Sequence, residues 1–200
     1  MDIGINPFFF RHILYMPLFF LLKITCSYAN IEFDITASVI SSSCQITISN
    51  GGIVNLDTVT PDYFSEDITP ESDYPGGEYF SIDIVSCENT QETQSQIKID
   101  FQPKTNPFSA GNHQVFTNEL EQQTNGAKNV GIVIFSAQES ASTFNVLTSD
   151  GKSRAIYPVT PTQVAPSSWR FYSRMQRIDN SRPPSTGLVR SQVIVSVTYE

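Results

Sequence analysis

The chain has 200 residues, with 12 Lys and Arg against 20 Asp and Glu, for a net charge of −8. That length is one domain's worth of chain. Its acidity argues against nucleic acid or an anionic lipid surface as a partner.

Residues 1–29 have the layout of a secretory signal peptide. Arg11 precedes an apolar run from Ile13 to Leu22, and small residues follow, with Ser27 and Ala29 at −3 and −1 of a cut after Ala29. The apolar run falls short of the ~20 residues a membrane span needs. A retained anchor is the alternative. A lipid anchor at Cys26 would want an apolar and a small residue where Lys23 and Thr25 stand. Cleavage leaves 171 residues with 10 basic and 19 acidic side chains, enough to bury a core. Of the three cysteines, Cys44 and Cys87 remain, and an even pair in an exported chain reads as a disulfide. A metal site is disfavoured: one histidine, His113, survives processing, and there is no CxxC pair.

Apolar and polar residues then alternate repeatedly, the period of half-buried strands. Ile31, Phe33, Ile35, Ala37 and Val39 form the first such run; Ile46 and Ile48 follow Cys44, and Phe80, Ile82 and Ile84 precede Cys87. Ile97, Ile99 and Phe101 form another run, and Val193, Val195, Val197 and Tyr199 close the chain. Residues 131–136 are apolar throughout and suit a central strand; 169–178 predict a strand with arginines on one face. Turn signals lie between: Asn50-Gly51-Gly52 predicts a tight hairpin, and 61–77, 124–129, 149–152 and 180–187 predict loops. No long segment has helical period. Seven or so short strands indicate an antiparallel sandwich.

Catalytic constellations are weak. His113 lies in a loop-like stretch. Ser149 and Lys152 fit S-x-x-K without a helix to aim one at the other. Glu119 and Glu121 read as solvated charge in a polar loop. Trp169 and the tyrosines could face a sugar, but buried aromatics explain them as cheaply. The chain is therefore expected to be no enzyme and to need no cofactor.

The two ends are more specific. Residues 31–39 and 187–200 are apolar alternating strands at the termini of the mature chain. Exposed terminal strands pair with other chains, and adding a strand to another protein's sheet is a recognition mode in its own right. Through most of the mature chain the sequence resembles the chaperone–usher pilin family. The segment 29–46 resembles a donor strand running into the first cysteine strand; 80–87 resembles the strand with the partner cysteine, and 129–136 a central strand. Tyr199 stands next to last and Gly187 fourteenth from the end, as in the family's chaperone-recognition motif.

The resemblance implies an all-β fold, an incomplete immunoglobulin-like β-sandwich completed by a donor strand from a neighbouring subunit. It implies a donor segment at 30–42 (Ile31, Phe33, Ile35, Ala37, Val39) running into a pilin domain at 43–200, with a Cys44–Cys87 disulfide. Gly187, Val193, Val195, Val197 and Tyr199 would form the edge offered to a periplasmic chaperone. The implied partners are that chaperone, an outer-membrane usher, neighbouring subunits and, through the assembled surface fimbria, a host receptor. Family donor strands commonly carry glycine where Ala37 stands. The competing expectation is a secreted single-domain binding module, adhesin- or lectin-like, that recognises a host ligand directly.

Overall fold

The computed structural model describes residues 42–65, 67–88, 95–109, 112–139 and 142–200. The expected signal peptide and donor residues Ile31, Phe33, Ile35, Ala37 and Val39 lie outside them. The period-two runs form strands, as expected where β-branched and aromatic side chains occupy every second position. In chain order these are β1 (Ser42–Ile48), β2 (Glu78–Cys87), β3 (Gln96–Pro103), β4 (Phe116–Thr117), β5 (Val130–Ser136), β6 (Phe144–Asn145), β7 (Ala155–Pro158), β8 (Ser167–Arg177) and β9 (Val193–Tyr199). The described residues contain no α-helix.

All pairings between these strands are antiparallel, in the order β4-β5-β8-β2-β1-β9-β3-β7, with β6 on β5. The sheet folds into two layers that share β1. Residues 44–48 of β1 pair with β2, whereas 42–43 pair with β9. The core lies between the layers. Phe80, Ile82 and Ile84 of β2 and Trp169 and Phe171 of β8 meet Ile97, Ile99 and Phe101 of β3 and Val197 and Tyr199 of β9. Phe101 and Phe171, from strands that are not neighbours in the sheet, stack edge-on across this interior at 5.2 Å.

The β7 side is closed by aromatics. Tyr157 packs on Trp169 at 4.3 Å, and its hydroxyl donates to Ser136 Oγ at 2.7 Å. Burial pushes the Tyr157 hydroxyl up to about 12, the serine contact opposing the shift. A raised folded-state pKa leaves stability intact below the ordinary tyrosine value near 10. It is lost as pH rises from there through about 12. Melting temperature should therefore fall over that window, by the equivalent of about 3 kcal/mol from this residue. In Tyr157→Phe that part of the alkaline loss should vanish, leaving the share of Tyr63 and Tyr172, whose hydroxyls burial also raises.

Three expectations are corrected. Asn50-Gly51-Gly52 makes no hairpin. It forms a 3-10 turn with Asn50 and Gly51 at positive φ, and β1 pairs instead with β2, some thirty residues on. The arginines of β8 do not all lie on one face: Arg170 and Arg174 share one and Arg177 falls on the other. Arg174 is fully buried because the loop 61–77 lies over this part of the sheet, its guanidinium donating to the carbonyls of Thr69 and Ser72 and to Gln176 Oε1. Burial pushes its pKa down. Glu119 and Glu121 are not simply solvated: Glu119 accepts from Thr105 and the Gln192 N–H, and Glu121 from the Asn129 N–H, tying loops together.

Candidate functional site: the open edge of the last strand

β9 sits between β3 and β1 but is paired unequally. On one side it pairs with β3 along its whole length, from Ile97↔Tyr199 to Pro103↔Val193. On the other, among the described residues, it pairs only at Ser42↔Tyr199 and Ser43↔Thr198. There β1 leaves for β2, and the two strands diverge.

The ladder parity identifies the groups left over. Glu200 exchanges both backbone bonds with Gln96, and Lys104 N–H donates to Gln192 O. The even-numbered residues thus turn their N–H and C=O toward β3. By the antiparallel alternation the groups of Val193, Val195 and Val197 point the opposite way, where β1 pairs only as far as Ser43↔Thr198 and no strand pairing among the described residues reaches Val193 and Val195. An unpaired run of this kind is a template for another strand.

The side chains match the backbone. Val197 and Tyr199 are buried, while Val193 and Val195 are only half-buried although they pack on the core. Cys44, Ile46 and Ile48 on β1, with Val54 and Phe108 from loops, are likewise packed on the core and half-exposed. The seam between β1 and β9 is an apolar slot whose two walls keep part of their surface in water. Its chemistry is that of a strand-binding groove: backbone donors and acceptors along one wall, with aliphatic side chains lining both.

Two devices hold the walls. A Cys44–Cys87 disulfide links the first residue of β1 that pairs with β2 to its opposite number, ahead of a bulge at Gln45/Ile46. At the other end, Asn118 is buried. Its amide donates to the Ala127 and Leu188 carbonyls (2.7 and 2.9 Å), and its oxygen accepts from the Leu120 and Arg190 N–H groups. Gly187, at φ +150°, lies against the same loop; a Cβ there would come within 2.4 Å of Ala127 N. This fixes where the chain enters β9.

The structure thus brings Val193, Val195, Val197 and Tyr199 together on one strand and puts Gly187 at its approach. The β1 wall was not singled out from sequence, although its signal, the alternation of Cys44, Ile46 and Ile48, was visible. Val54 and Phe108 sit in loops and carry no period that could have found them. His113 is exposed, and Ser149–Lys152 is a surface turn in which Lys152 pairs with Asp150 at 2.7 Å. Trp169 is buried.

Residues 31–200 match the family described as Fimbrial protein. The chain is 42% identical over 192 residues to the fimbrial-like protein YadK of Escherichia coli (strain K12), covering 95% of each. Among solved structures, it is similar to the P pilus rod subunit PapA (10% identity, 84% of this chain and 100% of that one, TM-score 0.46). It is also similar to the CupB6 tip adhesin from Pseudomonas aeruginosa (8% identity, 78% of this chain and 43% of that one, TM-score 0.39).

Proposed function

The chain belongs to the fimbrial protein family, and from that premise we propose that it is a structural subunit of a surface fimbria, not an enzyme, that polymerises by donor-strand exchange. The observation that carries the reading is the open edge of β9 at Val193–Val195, beside half-buried aliphatic walls. A strand inserted there would receive backbone hydrogen bonds from β9 and cover both walls at once. The chain carries a segment of matching chemistry at 30–42, whose Ile31, Phe33, Ile35, Ala37 and Val39 fall on one face of a strand.

In this reading residues 1–29 direct export and are removed. A periplasmic chaperone fills the slot first, recognising the β9 edge and the Gly187 approach. At an outer-membrane usher the donor segment of the next subunit replaces it. Adhesion to a host receptor is then a property of the assembled fibre.

The experiment is complementation. A version of the subunit beginning at Ser42, freed of chaperone, is mixed with a synthetic peptide covering residues 30–41. Each buried aliphatic or aromatic donor side chain contributes ~1.5–3 kcal/mol, so several together should raise the melting temperature by roughly 10 °C or more. A peptide with the same composition in scrambled order should leave it unchanged. No shift with the native peptide, while the subunit is folded, would exclude this segment as the donor.

A further inference from the structure

The sheet has two ends besides the seam between β1 and β9, and both are closed to an incoming strand. At one end stand β4 and β6, each two residues long. The β4 carbonyls of Phe116 and Thr117 accept from Ser191 Oγ at 3.3 and 2.6 Å. Edges this short offer little to pair with. At the other end stands β7, and its closure is built into the backbone.

Val159 N–H donates to Ser95 O at 2.9 Å. With the register Ile97↔Tyr157 and Ile99↔Ala155, the odd-numbered residues of β7 turn their backbone groups to β3. Those of Arg154, Ile156, Pro158 and Thr160 therefore face away, on the side where a further strand would lie. Every donor in that row is engaged or missing. Arg154 N–H donates to Val146 O at 2.8 Å, and Ile156 N–H to Arg154 O at 2.9 Å. Pro158 has no N–H. Thr160 N–H donates to Gln163 Oε1 at 3.1 Å, and Thr160 O accepts the Gln163 N–H at 2.8 Å, at the 3-10 turn Pro161–Gln163. β9 is the reverse case, since no strand pairing among the described residues reaches the outward groups of Val193 and Val195.

The side chains of β7 would not by themselves turn a strand away. Ile156 is 43% exposed, and Pro158 and Thr160 are exposed with it. A flat edge that carries an exposed isoleucine and a free ladder is a template for association. Here the isoleucine is present and the ladder is not.

We propose that Pro158 and the Thr160–Gln163 turn are specificity-determining residues of assembly. They close β7 to strand addition, so that each subunit accepts one strand, at β9, and the fibre grows without branches. That β9 takes a donor strand rests on the reading above; that β7 refuses one does not.

The test opens the edge. Pro158→Val restores a donor, and Gln163→Ala releases the Thr160 N–H. The full chain is purified from the periplasm with any partner it retains, in a Phe33→Asp background that disables the donor segment. Self-association is followed by sedimentation velocity. Pro158→Val/Gln163→Ala should associate at a concentration at least tenfold lower than the chain with its edge closed. Adding Ile156→Glu should reverse the effect. The new charge faces Lys98 within the subunit but meets its own kind when two copies pair, and a misfolded chain would not be rescued by it. Should the double variant fail to accumulate, Pro158→Val alone makes the same comparison at one exposed residue. Equal association with the edge open and closed, or association that Ile156→Glu leaves in place, would overturn the proposal. Polymerisation of Phe33→Asp with its edge closed would count against the donor reading instead, and the comparison between the two edges would still decide this one.

Discussion

Phe33→Asp and Val195→Asp should both abolish incorporation into fibres, yet at different stages. The first charge sits in the proposed donor segment, which belongs to a neighbour's core. The subunit should therefore still fold on its chaperone and accumulate, oxidised at Cys44–Cys87, to near wild-type yield, while its fibre content falls at least tenfold. The second charge sits on the half-buried inward face of β9, where any occupant of the slot, chaperone or donor, must cover it. Burying a carboxylate without a partner costs several kcal/mol, so Val195→Asp should lose the chaperone complex as well as the fibre. Periplasmic yield of the complex and fibre content, read side by side, make the comparison. If Phe33→Asp also removed the complex, residues 31–39 would belong to the subunit's own core. If Val195→Asp assembled normally, the β9 edge would not be the acceptor.

Replacing both Cys44 and Cys87 by serine should lower unfolding stability by about 4 kcal/mol, the chain-entropy value for cysteines 43 residues apart. Against the 5–15 kcal/mol typical of a domain this is a large share, equivalent to a fall in melting temperature of roughly 10 °C. It should also weaken acceptance of a strand. The bond fixes the point where β1 passes from β9 to β2, which sets one wall of the slot. Urea titration of the donor-complemented subunit, reduced and oxidised, would measure the first effect, and peptide affinity the second. Equal midpoints would show that the ladder alone holds β1 in place.

Much of the fold was legible because a strand writes its own period. Alternation at Phe80–Ile84, Ile97–Phe101 and Val193–Tyr199 follows from side chains pointing to opposite faces, and each stretch became a strand with those residues inward. The exported cysteine pair announced its bond through count and compartment alone. The apolar alternation of Val193, Val195, Val197 and Tyr199 likewise raised the question of an unpaired edge before any pairing was known.

Other features depended on which segments meet. The run Tyr172–Arg177 reads locally as a strand with one polar face, but the loop 61–77 covers that face. Arg174 is then fully buried among carbonyls contributed by residues about a hundred positions earlier. Asn50-Gly51-Gly52 has the chemistry of a hairpin turn, but β1 found a stronger partner in β2. The sequence by itself determined the strands, the inward set of each and the disulfide, because local period and cysteine chemistry act over a few residues. Only the tertiary structure decided that β1 abandons β9 after two pairs, leaving Val193–Val195 open, and that Arg174 is buried beneath the loop 61–77. Both are relations between segments far apart in sequence, set by packing and backbone pairing that no local pattern encodes.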